Sequence, residues 1–291
     1  MRKPSSLTGA NFPSAREDMF DNEMEMPSAY RLAFSDQDFL LREELRGLRF
    51  QLELQKPEMI LQEHNVKSTV VVFGSARFLA PEEADLAVTE AQKLGDQAAI
   101  RAAKRAQRNS HYYQEARRLG ELITEHSNNC PEEERLYVMT GGGPGIMEAA
   151  NRGATEANGK SIGLNIVLPH EQFPNPYITP EFCFRFHYFA IRKMHFMLRA
   201  KAVIVCPGGF GTMDELFEAL TLIQTGRSKR IPVILLGHEF WRQAINLEFL
   251  RDEGVISPED VNMISVVDSA EQAWHNIVEF YDLSTGRCNA C

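Results

Sequence analysis

Two stretches of this chain put glycines directly after an apolar run and a carboxylate one helical turn later. In "CPGGFGTMDE", residues 206 to 215, a loop of Gly208, Gly209 and Gly211 leads into Thr212 and Glu215. A glycine loop opening a helix offers free backbone N–H groups at the positive end of the helix dipole, with no side chains to hold off an anion. Thr212 adds a hydroxyl, and the whole suits one phosphate group. The same residues also read as a helix cap, with Thr212 as N-cap and Glu215 as its capping-box partner. A cap alone has no use for three glycines, whereas an anion approaching the backbone does. A carboxylate beside a phosphate is costly, so Glu215 makes sense facing a centre that becomes positive, such as an oxocarbenium-like sugar carbon.

"TGGGPGIMEAAN", residues 140 to 151, repeats the grammar with Gly141, Gly142, Gly143, a Pro144 suited to helix initiation, and Glu148 one turn in. A tight strand-to-helix turn is the plainer reading, although three consecutive glycines exceed what a turn requires. A third apolar run ends in "GSAR" with Gly74 and Ser75. None of these is G-x-G-x-x-G or ends in Gly-Lys-Ser/Thr, which disfavours NAD binding and ATP hydrolysis.

The elements that must carry these loops alternate along the chain. "STVVVF", "LYVMT", "SIGLNIVLP", "FCFRF", "AVIVC", "IPVILLG" and "MISVVD" read as strands, separated by amphipathic helical stretches. The stretch from 82 to 127 is expected to be helical with a break near Asn109 and Ser110. Continuous apolar strands alternating with helices predict a Rossmann-like doubly wound parallel sheet covered on both faces. All three glycine loops then open on the carboxyl edge of that sheet, where such folds bind ligands. Residues 1–65 are expected to form a mobile tail and a helical extension interrupted at Pro57, residues 66–285 the nucleotide-binding catalytic domain, and residues 286–291 a tail.

With 291 residues, 44% of them hydrophobic, and a net charge of −9, the chain reads as a soluble globular protein. The acidic balance speaks against nucleic acid or an anionic membrane as partner. The apolar runs fall short of the roughly 20 residues that span a bilayer. The amino terminus shows no secretory pattern, which predicts a cytoplasmic protein. Five scattered cysteines, at 130, 183, 206, 288 and 291, suit reduced thiols, and the Cys288/Cys291 pair lacks the partners of a zinc site.

"TGGGPGIMEAAN", the Arg192-Lys193 pair of "RKMHFM" and "PGGFGTMDE" together resemble the LONELY GUY family of cytokinin-activating phosphoribohydrolases, often labelled lysine decarboxylases. The family pattern is R-K-x-x-M followed by P-G-G-x-G-T-x-x-E. Here Phe196 stands where that methionine is expected, with Met197 next to it, as in the longer bacterial branch and related nucleotide 5′-monophosphate nucleosidases. The resemblance covers roughly residues 66 to 283. It implies Arg192 and Glu215 as the catalytic pair and Gly208, Gly209, Gly211 and Thr212 as the 5′-phosphate site. Gly74, Ser75, Gly141, Gly142, Gly143, Glu148 and Lys193 are further candidates for nucleotide contacts, and Asn165, Glu171 and Asn175 for the base pocket; His195 reads as packing. The implied reaction is hydrolysis of the N-glycosidic bond of a purine or cytokinin nucleoside 5′-monophosphate, with no metal or organic cofactor, in a homodimer or larger homo-oligomer. A non-catalytic nucleotide sensor is the alternative, disfavoured by the presence of both Arg192 and Glu215. A pyridoxal-phosphate decarboxylase lacks a lysine in a Schiff-base context.

Overall fold

A computed structural model describes residue 15 and residues 25–168 and 173–283. Glu171, Cys288 and Cys291 lie outside the described residues. The chain divides into two units, Met1–Leu52 and Glu53–Cys291. The first holds the short helix α1 (Gln37–Leu40), started by Asp36, whose side chain accepts from the backbone N–H groups of Asp38 and Phe39. Helix α2 (Arg46–Glu63) follows, and it runs through Pro57 rather than stopping there. Pro57 is buried, so its packing offsets the hydrogen bond its ring removes.

The second unit contains β1 (Ser68–Phe73), α3 (Pro81–Leu94), α4 (Gln97–Asn128), β2 (Leu136–Thr140), α5 (Ile146–Glu156), β3 (Ser161–Ile166), β4 (Cys183–Phe186) and α6 (Phe189–Leu198). It continues with β5 (Ala200–Val205), α7 (Phe210–Gln224), β6 (Val233–Leu236), α8 (His238–Ala244), α9 (Leu247–Asp252), α10 (Pro258–Val261), β7 (Ile264–Val267) and α11 (Ala270–Tyr281). The strands form one seven-stranded sheet in the order β4-β3-β2-β1-β5-β6-β7, every pair parallel. This is the doubly wound α/β architecture read from the sequence.

Two apolar layers cover the sheet. On one side Val70, Val72, Val138 and Ile204 pack with Ala116, Leu119 and Ile123 of α4 and Ile277 of α11. On the other, Val71, Phe73, Met139 and Val203 pack with Phe196 of α6, Leu216 of α7 and Trp241 of α8. Both faces of β1 are buried because helices lie on each side, which is why its residues run apolar without alternation. At about 1.5–3 kcal/mol for each large side chain, this burial holds the carboxyl edge rigid.

The helical break between residues 82 and 127 falls elsewhere than expected. Gly95 ends α3 with a left-handed φ of 71°, and the Asp96 side chain caps α4, which then passes Asn109 and Ser110 without interruption. Cys183 and Cys206 carry free thiols, as expected, but Cys130 is disulfide-bonded. That bond corrects the uniform reading of reduced thiols. Among the described residues no helix is long and apolar enough to cross a membrane.

Candidate active site

Strand order reverses at β1, which has β2 on one side and β5 on the other. Crossovers leave in opposite directions there, so the loops after these strands part and open a cleft. The cleft has a volume of about 660 Å³ and is lined by the β1 loop, Gly141, Arg192 of α6 and the start of α7 from Gly208 to Glu215. All three glycine loops contribute to the one carboxyl edge.

At the α7 end, the N-cap is Gly209, no side chain caps the helix, and the first turn is Phe210, Gly211 and Thr212. The expected N-cap role of Thr212 and its capping box with Glu215 are therefore absent. The helix starts three residues earlier, and Met213 N–H already bonds the Gly209 carbonyl at 3.0 Å. The N–H groups ahead of it have no acceptor within the helix and border the cleft. A side chain at Gly209 or Gly211 would meet open space, whereas one at Gly208 would strike Thr212, 2.1 Å from its Oγ1. Gly208 thus makes room for Thr212, and Gly209 and Gly211 leave the approach to the helix end bare.

Arg192 enters from α6. Its Nε donates to the Leu164 carbonyl at 2.7 Å, and its guanidinium lies 5.1 Å from the centroid of the Phe196 ring. A Cβ at Gly141 would sit 2.6 Å from an Arg192 terminal nitrogen, so the first glycine of "TGGG" is the space the guanidinium occupies. Phe196, where the family pattern has methionine, serves as the aromatic face under that cation. Burial pulls the Arg192 pKa down and the Glu215 charge opposes it.

Glu215 and Asp214 both line the cleft, and Glu215 is the more buried of the two. Burial raises its pKa to about 7, against the attraction of Arg192 and Lys193 and with the repulsion of Glu218 and Asp214. A carboxyl poised near neutrality can accept a proton from water, and in its ionised form it can stabilise a cation. Lys193 does not itself line the cleft. Its Nζ lies 3.0 Å from Asp214 and 2.6 Å from Glu218, and despite burial these two carboxylates hold its pKa above the ordinary lysine value.

Of the other candidates, Gly74 and Ser75 line the cleft and the rest sit around it. Glu148 accepts from the Tyr113 hydroxyl at 3.0 Å and does not line the cleft. Gly74 packs on Ile146, and Ser75 ties the strand ends together through its N–H to the Pro207 carbonyl at 3.0 Å. Gly142 and Gly143 are buried under a polar network. Asn175 donates to the Gly143 carbonyl and to Asn151 Oδ1, both at 3.0 Å, and Thr140 Oγ1 donates to the same Asn151 oxygen at 2.7 Å. Pro144 precedes the N-cap Gly145 and so lies just outside α5. Asn165 donates to the Phe184 carbonyl at 3.1 Å beside Gly142. His195 is buried against Phe186, its pKa lowered by burial, and is packing.

Asn151, the hub of that network, was not singled out from the sequence, and neither were Arg77, Phe189 and Phe210, which line the cleft. The position of Phe210 between the two glycine steps of the loop was the available signal. Among the described residues no cluster of three His, Cys, Asp or Glu is placed to hold a metal ion.

A family model described as "Possible lysine decarboxylase" matches residues 147–277, which include Arg192 and Glu215. A cytokinin riboside 5′-monophosphate phosphoribohydrolase of Arabidopsis thaliana is 30% identical over 155 residues, 51% of this chain and 69% of that protein. The chain belongs to the LONELY GUY family. A Mycobacterium tuberculosis protein of the same name is 38% identical over 85 residues, 28% of this chain and 44% of that relative. Among solved structures, the Moco carrier protein of Chlamydomonas reinhardtii is 18% identical over 74% of this chain and 98% of its own, with a TM-score of 0.45. A molybdenum cofactor binding protein of Rippkaea orientalis is 21% identical over the same shares, with a TM-score of 0.44. At such scores these likenesses have no bearing on function. For a LONELY GUY protein the two sequence motifs acquire a common address, since the R-K arginine and the P-G-G-x-G-T-x-x-E glutamate face one cleft.

Proposed function

We propose that the protein hydrolyses the N-glycosidic bond of purine or cytokinin nucleoside 5′-monophosphates, releasing the free base and ribose 5-phosphate. The observation that carries this reading is the meeting, in one cleft, of a bare helix end, a half-buried cation and a carboxyl poised near pH 7. The 5′-phosphate lies on the N–H groups at the start of α7, with the Thr212 hydroxyl beside it. The ribose then extends toward Arg192 and Glu215. Ionised Glu215 stabilises the positive charge that develops on C1′ and O4′ and takes the proton of the attacking water. The water oxygen bonds C1′, the C1′–N bond breaks, and its electron pair leaves with the base, which gains a proton from solvent. Arg192, charged at any working pH, holds sugar or phosphate oxygens in place.

The protein works as a homodimer or larger homo-oligomer in this reading. Phe189 and Phe210 at the cleft and Met194, Leu198 and Phe217 on α6 and α7 are exposed, Phe210 to 97%. An apolar patch of this kind beside a site suits contact with a second copy. The relatives' names support the reaction class, and the cytoplasm is the proposed location. Incubation with AMP and with isopentenyl-AMP, followed by chromatography of the products, tests the proposal. Free base and ribose 5-phosphate are expected, and intact nucleotides after prolonged incubation with saturating substrate overturn it.

A further inference from the structure

A second chamber lies behind the phosphate end of the cleft. Its volume is about 1000 Å³, and it shares Ser75 and Gly208 with the cleft as a common wall. The far sides come from α4, α8 and the residue after β7. Arg192 and Glu215 do not reach it, so the reaction proposed above makes no use of it.

Its walls are aromatic and acidic. Phe78 and Tyr112 stack with centroids 5.7 Å apart and planes 17° from parallel, and Phe240 faces them from α8. The Tyr112 ring is pinned against Gly237, where any Cβ would come within 2.7 Å of it. Two carboxylates, Glu239 and Asp268, border the space. Asp268 accepts from His238 N–H through Oδ1 at 2.7 Å, which leaves its second oxygen for a ligand. Arg108 is the one permanent cation of the lining, with His111 beside it. Two carboxylates against one arginine leave the chamber negative, and burial together with Glu239 and Asp268 raises the Tyr112 pKa. A second phosphate is unwelcome there. A flat ring bearing N–H donors is welcome, because its face can stack on aromatic side chains and its edge can donate to carboxylates.

We propose that this chamber is a separate binding site for a free, uncharged or cationic nitrogen heterocycle of the purine-base class. The site stands independently of the hydrolysis reading, since none of its residues other than the common wall of Ser75 and Gly208 lines the cleft.

Calorimetric titration of the full chain with adenine tests the inference, using wild type, Glu239→Gln and Asp268→Asn. Glu239 is exposed, and asparagine at 268 retains an oxygen to accept from His238, so both variants keep the fold, which matched thermal melts verify. Wild type is expected to bind adenine, and each variant to bind it about tenfold more weakly, the loss of one charge-assisted hydrogen bond. Absence of adenine binding to wild type, or equal affinity in all three proteins, overturns the proposal. Failure of the hydrolysis reading shows instead as uncleaved AMP and leaves this titration unaffected.

Discussion

Replacing Glu215 with glutamine should make the protein more stable above neutrality while abolishing base release. The carboxyl titrates at about 7 in the folded protein rather than at the usual 4.5, chiefly because it is buried. Each tenfold change in proton affinity corresponds to about 1.4 kcal/mol, so ionising Glu215 in the cleft costs about 3 kcal/mol more than in the unfolded chain. Below pH 4.5 both states hold the proton and the cost is absent. Between 4.5 and 7 the unfolded chain ionises while the folded one does not, and stability falls; above 7 both are ionised and the full cost remains. Glutamine has no such charge. The difference in thermal midpoint between Glu215→Gln and wild type should therefore be small near pH 4 and reach roughly 6–12 °C at pH 8, at about 2–4 °C per kcal/mol for a unit of this size. Melts by circular dichroism in matched buffers measure it. A glutamine variant no more stable than wild type at pH 8, or a difference independent of pH, refutes burial as the cause of the shift.

Further outcomes rest on the same geometry. Base release from AMP should rise with pH through about 7 as Glu215 ionises, and Arg192→Ala should lower it about 100- to 1000-fold, both read by chromatography of the released base. Gly209→Ala and Gly211→Ala should keep wild-type melts but weaken nucleotide binding in titrations, whereas Gly208→Ala should unfold earlier because its methyl strikes Thr212. Asn151→Ala should cost about 2–3 kcal/mol in urea unfolding, since it removes the acceptor of the buried Thr140 O–H and of one Asn175 amide N–H.

Much of the catalytic framework was legible along the chain. Runs such as "STVVVF" and "AVIVC" are apolar without alternation because both faces of each strand are covered, and glycines directly after them mark turns at one edge of a parallel sheet. Local chemistry of this kind survives folding because it depends on neighbours one or two residues away. The sequence favours Thr212 as the start of α7, but Gly209, permissive enough to serve as N-cap, takes that place, and the Thr212 side chain lies against Gly208. Pro57 and the stretch around Asn109 likewise gave break signals that tertiary packing overrode.

Sequence by itself determined the alternation of strands and helices, the edge on which the glycine loops open, and the residue types available there. Tertiary structure decided which of them meet. Arg192 and Glu215 lie on different helices, and only the packing of α6 and α7 on the same face of the sheet sets them in one cleft, while Glu148 goes to Tyr113 and Lys193 to Asp214 and Glu218. The poise of Glu215 near pH 7 belongs to the fold as well, because desolvation and the field of distant charges are properties of a surrounding volume and not of a segment.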